Sequence, residues 1–466
     1  MRLDRLIDGL DVIDAPAGAG TVEVDSVTHD SRAVAPGALF CCVPGGAFDG
    51  HDFAAAAVAA GATALLVEHH LAVDRPQVVV PSVRRAMPLA AAAVLGHPSR
   101  ALTVVGVTGT NGKTTVTHML RSALEAGGRP TGVIGTIGGR RTTPEGPELQ
   151  AMLAGFVDGG IPAVAIEVSS HALEQHRVDG IRFAAAVFTN LSQDHLDFHR
   201  TMDAYFGAKA RLFETGRTEL AVINADDPWG LRLTAMVRVP VCTYSMADAS
   251  DLTTSLAGSS FVWRGEQVRL PLAGRLNVSN ALAAATTASA LGVPAGEVAA
   301  GLSALAGVPG RFERVDAGQP FAVVVDYAHT PDGLEHALAA ARDLVAGGGG
   351  RLLVVFGCGG DRDRAKRPLM GEIATRLADR AYLTNDNPRS EDPMAIIDAV
   401  RHGVNEMERL VIEPDRAQAI AIAFSEADAG DMVLIAGKGH ETGQEVDGVV
   451  TAFDDRIVAR QLLEHM

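Results

Sequence analysis

Gly106-Val-Thr-Gly-Thr-Asn-Gly-Lys-Thr-Thr115 follows the apolar run Leu102 to Val105 and opens a segment of helical character. A strand, a glycine-rich loop and a helix in that order make a cradle for phosphate, the kind found in α/β proteins with parallel sheets. The spacing departs from the common G-x-x-x-x-G-K-[ST] pattern, because Val107 stands where that pattern has glycine. The physics survives the change. Gly109 and Gly112 let backbone N–H groups face a phosphate, Lys113 reaches the outer phosphates, and Thr114 offers a hydroxyl to Mg²⁺. The run Gly109, Thr110, Asn111, Gly112, Lys113, Thr114, Thr115 is therefore the candidate site for ATP and its Mg²⁺.

The chain has 466 residues, too many for one core, and at about 150 residues per domain three domains are expected. Ala-rich stretches such as Ala54 to Ala60 and Ala90 to Leu95 are far short of the roughly 20 apolar residues that cross a bilayer, so no membrane span is expected. Charges recur through Met1-Arg-Leu-Asp-Arg-Leu-Ile-Asp8, unlike a signal peptide, and a cytoplasmic location is the expectation. Cys41, Cys42, Cys242 and Cys358 have neither zinc-site nor disulfide-framework spacing. The formal charge of −16 and the lack of a Lys/Arg stripe exclude a nucleic-acid partner. The one basic cluster, Arg362-Asp-Arg-Ala-Lys-Arg367, is interrupted by acid and suits a compact anionic or zwitterionic ligand.

From about residue 100 onward strand-like apolar runs alternate with helical patterns, which predicts α/β architecture with parallel sheets. The polar motifs fall at strand ends. Thr103 to Val107 leads to the phosphate loop, Ala163 to Val168 carries Glu167, and Ala184 to Phe188 leads to Asn190-Leu-Ser-Gln-Asp-His195. Phe321 to Val325 leads to Asp326-Tyr-Ala-His-Thr330, and Leu352 to Phe356 leads to a glycine run ending in Asp361-Arg-Asp363. Open α/β sheets bind ligands at the carboxyl ends of their strands, so two crevices are expected, or one shared between domains. Gly/Pro punctuation at Gly96-His-Pro-Ser99 and Gly307-Val-Pro-Gly310 predicts domains over 1–100, 101–310 and 311–466, the first a small α/β unit.

A carboxylate at Glu167, closing a buried strand, is costly unless something ionic holds it, and Mg²⁺ is the natural candidate. Thr114, Glu167 and His195 would meet at neighbouring strand tips, although a histidine between Asp194 and Asp197 is by itself unremarkable. The apolar helical face of Tyr205-Phe-Gly-Ala-Lys-Ala-Arg-Leu-Phe213 brings Lys209 to a buried position. Such a lysine can lose its proton, and a neutral amine can capture CO₂ as an anionic carbamate; a snorkelling lysine is the plainer alternative.

Taken together, seven motifs resemble those of the Mur ligases, the ATP-dependent amide-forming enzymes of peptidoglycan synthesis. They are Gly109-Thr-Asn-Gly-Lys-Thr-Thr115, Glu167-Val-Ser-Ser-His171, Asn190-Leu-Ser-Gln-Asp-His195, Ala208-Lys209, Gly310-Arg-Phe-Glu313, Asp326-Tyr-Ala-His329 and Gly437-Lys-Gly-His-Glu441. The resemblance implies an N-terminal domain for a uridine nucleotide, a central ATPase and a Rossmann-like C-terminal domain that brings an amino acid. Within the family the tripeptide-forming member fits best. It also implies that ATP phosphorylates the D-Glu side-chain carboxylate of UDP-N-acetylmuramoyl-L-alanyl-D-glutamate, and that an amine attacks the acyl phosphate in a monomeric enzyme.

By the same resemblance Lys113, Glu167, His195 and Lys209 are catalytic. Thr114, Glu167, His195 and a carbamylated Lys209 serve the metal, and Asn277 and Asn280 face adenine. Ser31, Gly46, Ala47 and Phe48 would touch the uridine nucleotide, and Thr142, Thr143, Ser169, Gln175 and Arg177 the muramoyl-dipeptide. Asp386-Asn387-Pro388-Arg389 looks like the signature of members that add meso-diaminopimelate, and lysine-adding relatives usually lack that last arginine. Chemistry agrees, since the second carboxylate of diaminopimelate suits a bidentate guanidinium. Arg362 for a carboxylate, Gly437, and Glu441 for an ammonium would complete the pocket. An L-lysine-adding member or another acceptor is the alternative within the family. Folylpolyglutamate synthetase and a nucleotide-operated switch lie outside it, and the guanine-reading Asn-Lys-x-Asp tetrapeptide is absent.

Overall fold

The computed structural model describes residues 1–46, 48–139, 141–346 and 349–466. Three parallel-rich sheets follow one another along the chain. Ser26–Thr28, Ala38–Cys41, Ala64–Val67 and Gln77–Val79 form the first, four strands all parallel in sequence order. The second has six parallel strands in the order Val241–Tyr244, Ala221–Asn224, Ala185–Phe188, Thr103–Thr108, Ala163–Glu167, Thr131–Ile134. The third runs Glu313–Val315, Ala322–Asp326, Met432–Ala436, Leu352–Phe356, Arg380–Leu383, Leu410–Ile412, and only its first strand is antiparallel.

Near-continuous Val, Ile and Ala make these strands two-sided, as a sheet covered by helices on both faces requires. In the second sheet Val105, Val107 and Ala165 enter one core with the helices Lys113–Ala126 and Arg275–Ala290, while Val104, Val164 and Ile166 enter the other with Leu149 and Phe206. The third sheet is packed the same way, Val324, Val354 and Leu434 on one side and Val323, Val355 and Ile435 on the other. Each such side chain contributes roughly 1.5–3 kcal/mol on burial.

Thr103–Thr108 is the switch point of the second sheet. The chain leaves it toward Thr131–Ile134 on one side and returns to pair Ala185–Phe188 on the other, so a crevice opens above its carboxyl end. An antiparallel hairpin sheet of Ser250–Ser255, Gly258–Trp263 and Glu266–Leu270 follows the second sheet, an element that the expected βα alternation did not contain. All four cysteines are free, and among the described residues no helix is long and apolar enough to cross a membrane.

Candidate active site

The phosphate loop is shaped by two glycines in left-handed conformations. A Cβ on Gly109 (φ 152°) would lie 1.8 Å from the Thr189 hydroxyl, and one on Gly112 (φ 87°) 2.3 Å from Asn280 Oδ1, so neither position admits a side chain. The loop is pinned from below, where Asn111 N donates to Asn190 Oδ1 (2.9 Å) and the Thr189 hydroxyl donates to Asn111 O (2.6 Å). Lys113 Nζ folds back on the carbonyls of Gly109 (2.9 Å) and Thr110 (2.8 Å). Burial lowers its pKa, opposed by the nearby Glu167 and Asp194 carboxylates.

Glu167 is 1% exposed. Its Oε2 accepts from the Thr114 hydroxyl (2.8 Å) and the Thr136 hydroxyl (3.2 Å), and its Oε1 from Thr136 N (2.8 Å). Among the described residues it makes no ion pair. A buried carboxylate beside a threonine hydroxyl, opening on the phosphate loop and lacking a cation, fits a hard divalent ion. No set of three or more His, Cys, Asp and Glu side chains that could hold a metal gathers among the described residues.

Lys209, on the helix Met202–Ala210, is 1% exposed and donates to Gly109 O at 2.7 Å, with Nζ 4.5 Å from the centre of the Tyr205 ring. Burial, reinforced by Lys113, drives its pKa well below the ordinary lysine range. It lies behind the cavity wall, and a neutral amine there has the nucleophilicity that carbamate formation needs. His195 adopts a left-handed backbone (φ 54°), packs edge-on to His171 (4.7 Å), and has Nε2 3.3 Å from Asp194 Oδ2. Burial pulls its pKa down to about 3 against the pull of Asp194, so the imidazole is neutral.

A cavity of about 310 Å³ opens over the loop, lined by Thr110 to Thr115, Thr142, Glu167, Ser169, His195, Asn277 and Asn280, and by Arg311, Asp326, Gly333 and His336 from beyond residue 310. A second, of about 160 Å³, is lined by Arg362, Asp386, Asn387, Arg389, Gly437 and Glu441. Both share Asp194, His195, Tyr327, His329 and Arg362, so the two crevices meet at His195. Cross-domain bonds hold them together. Asp332 Oδ2 accepts from Asn111 Nδ2 (2.6 Å) and Ser192 Oγ (2.8 Å), and Arg311 Nη2 donates to Thr114 Oγ1 (2.9 Å).

Other expected residues sit elsewhere. Thr143 (1% exposed) lies behind the large cavity's lining, its hydroxyl 2.8 Å from Glu167 O and 3.1 Å from Ser169 N. Gln175 and Arg177 bond each other (2.6 Å), and Arg177 reaches Thr143 O (3.0 Å) and Glu145 (3.0 Å), behind the same wall. Pro388 lies outside both cavity linings, although Gly360 N–H donates to Asn387 O beside it (2.9 Å). Ser31, Gly46 and Phe48 lie on the N-terminal domain away from both cavities, Phe48 at 75% exposure, and Ala47 falls outside the described residues. That domain meets the central one where Arg85 Nε donates to His176 Nε2 (3.2 Å) and Gly146 abuts Pro88.

In the small cavity two of the expected residues already have partners within the protein. Glu441 lines the cavity with one oxygen engaged, its Oε2 accepting from Asn387 Nδ2 (2.8 Å) and pairing with the fully buried Lys438 (3.2 Å). Asp386 is a second buried carboxylate in the same lining, and its oxygens accept no hydrogen bond among the described residues. Arg389 is not wholly unpaired either: Nη1 donates to Gly360 O (2.7 Å) and Nε lies 3.6 Å from Glu445 Oε2. The sequence assigned no individual role to Arg311, Tyr327, His329 or Lys438, although all four lie in the motifs that carried the resemblance, and it offered Lys366 only as part of the basic cluster at 362–367.

A phosphate-loop domain joined to a second open-sheet domain across one shared crevice defines a nucleotide-using enzyme of the two-substrate type. Residues 23–104 match the Mur ligase family catalytic domain, 107–288 the Mur ligase middle domain, and 310–439 the Mur ligase glutamate ligase domain. The chain belongs to the Mur ligase family. It is 45% identical to the UDP-N-acetylmuramoyl-L-alanyl-D-glutamate--2,6-diaminopimelate ligase of Streptomyces coelicolor, covering 97% of this chain and 95% of that one. The protein of the same name from Geobacillus kaustophilus is 46% identical, covering 95% of each. A solved structure under that name is 35% identical with a TM-score of 0.70, covering 100% and 99%. MurF from Acinetobacter baumannii, at 20% identity and a TM-score of 0.68 over 100% and 99% of the two chains, shares the fold.

Proposed function

We propose that this chain joins meso-diaminopimelate to the D-glutamyl side chain of UDP-N-acetylmuramoyl-L-alanyl-D-glutamate, at the expense of ATP, in peptidoglycan precursor synthesis. The observation that carries the proposal is the meeting of the phosphate-loop cavity and the Asp386/Arg389 cavity at His195. A carboxylate is a poor electrophile. Transfer of the γ-phosphoryl group makes an acyl phosphate, and the amine then displaces phosphate through a tetrahedral intermediate, so catalysis is mostly positioning and electrostatics.

Each half of the shared crevice has a part. Lys113 and the loop N–H groups hold the outer phosphates, Arg311 approaches from the third domain, and Asn277 and Asn280 line the base side. Mg²⁺ held by Thr114 and Glu167 would neutralise charge on the phosphates. A carbamate on Lys209 would give Lys113 an anionic partner and complete the metal's surroundings, which the shared contact of both amines with Gly109 O supports. Thr142 and Ser169 line the acceptor side of the crevice, with Gln175 and Arg177 behind them, and the uridine nucleotide would reach back to Ser31, Gly46 and Phe48. His195, neutral near pH 7, sits where the two substrates meet and orients the reacting carboxylate without repelling Lys113.

In the amino-acid half, Glu441 and Asp386 take an ammonium, Arg389 takes the far carboxylate, and Arg362 at the shared wall approaches the other. The work would be done by a cytoplasmic monomer, where ATP and the uridine nucleotide are available. The test is phosphate release from ATP with the UDP-dipeptide and, in parallel, meso-diaminopimelate, L-lysine or no amino acid. Release that requires diaminopimelate, with the tripeptide product identified by mass, is the expected result. Release with lysine alone would overturn the amino-acid assignment, and no release with either would overturn the reaction.

A further inference from the structure

Lysine is almost absent from this chain. Of 40 lysines and arginines only four are lysine: Lys113, Lys209, Lys366 and Lys438. None stands on the open surface. Lys209 (1% exposed) and Lys438 (0%) are buried, Lys366 is 7% exposed, and Lys113 is folded over the phosphate loop. Three have evident work. Lys113 and Lys209 converge on Gly109 O, and Lys438 is satisfied by Glu441 (3.2 Å), Asn387 Oδ1 (3.1 Å) and Gly443 O (2.7 Å).

Lys366 has no such account. It is the first residue of the helix Lys366–Leu377, its Nζ donates to His329 O at 2.8 Å, and among the described residues no carboxylate lies within 4.0 Å of it. Its neighbour Arg367 is paired with Glu391 (2.8 Å), so the helix start is not generally short of acid. Asp194 feels its charge but is committed to His195, accepting from its N–H (2.9 Å) and lying 3.3 Å from Nε2. An ammonium this buried, with one carbonyl as partner, is costly unless an anion completes it.

The missing anion must come from the small cavity, because Lys366 lines that cavity and not the one over the phosphate loop. Lys366 is bonded to His329, which borders both, so the anion sits near the junction rather than at the Arg389 end. The same cavity offers Asp386 as a carboxylate without a donor, so Lys366 and Asp386, beside Arg362 whose guanidinium donates to Asp361 O (3.1 Å) and pairs with no carboxylate among the described residues, present open groups of both signs, the complement of an amino-acid zwitterion. Resting on the ligase reading above, we propose that Lys366 binds the carboxylate adjacent to the attacking amine of the incoming diamino acid, and so is a positioning residue that aims that amine at the acyl phosphate.

The test compares meso-diaminopimelate with the monoamide in which the carboxylate at the reacting centre is a carboxamide. The native enzyme should prefer the free acid by about tenfold or more in kcat/KM, as expected for a charged partner in a buried site. Lys366→Met should bring that preference close to unity while the KM for ATP stays within about twofold. Lys366→Gln serves if the methionine variant does not fold by its thermal transition. A preference unchanged in either variant overturns the proposal, as does an equal rise in the KM for ATP. Failure of the native enzyme to turn over diaminopimelate would instead remove the ligase reading, and this inference with it.

Discussion

Replacing Arg389 with alanine tests how the amino-acid pocket reads its substrate. The guanidinium is 22% exposed, anchored at one edge by Gly360 O and 3.6 Å from Glu445, and its free edge faces the small cavity. Removing one partner of a desolvated charge pair costs about 2–5 kcal/mol. Residual solvent and the competing Glu445 place this site at the low end, about 2 kcal/mol, or roughly 30-fold in kcat/KM for meso-diaminopimelate. L-lysine lacks the far carboxylate and should lose almost nothing, so the ratio of the two substrates falls by nearly the whole factor. Glu445→Gln should act oppositely, lowering the KM for diaminopimelate by freeing the guanidinium. Steady-state kinetics with both amino acids and with ATP varied separately would read this out. Equal loss for lysine and diaminopimelate, or a matching rise in the KM for ATP, would refute the assignment of Arg389.

Lys209→Ala should lower kcat by about two orders of magnitude or more and regain activity on addition of formate or acetate, which can stand in for a carbamate; undiminished turnover would dismiss any role for that side chain. His336 is raised to about 9, chiefly by its hydrogen bond to Asp332, so its contribution to stability is complete below about pH 6.5 and disappears as pH rises through about 9. The thermal midpoint should therefore fall across that window, and His336→Gln should flatten the fall; identical profiles would show that the pair contributes nothing.

Local patterns made much of this legible. The phosphate loop shows because glycine geometry and lysine reach are set within ten residues, and the burial of Lys209 shows because one helical face carries Tyr205, Ala208 and Phe213. The contacts of Asp332 with Asn111 and of Arg311 with Thr114 join residues 221 and 197 positions apart, and no periodicity carries the placement of one domain against another. Lys438 and Glu441 are three residues apart and were readable as a pair, which would have shown Glu441 to be partly spent. The hairpin sheet at Ser250–Leu270 was missed because its strands are mostly polar, with burial confined to such positions as Phe261, Trp263 and Val268.

The walls of the nucleotide cavity come from two domains, with Lys113 and Glu167 on one side and Arg311, Asp326 and His336 on the other. Nucleotide is therefore mortar as well as fuel. Whatever free energy ATP gains from the far wall is returned, by linkage, as cohesion between the domains, about 2.7 kcal/mol for a ligand at a hundred times its dissociation constant if it binds only the assembled pair. Once phosphate and ADP have left, that share of the cohesion is gone, and the walls keep only their direct contacts, such as those of Asp332 with Asn111 and of Arg311 with Thr114. Spending the nucleotide thereby weakens the joint by no more than the free energy that its binding supplied.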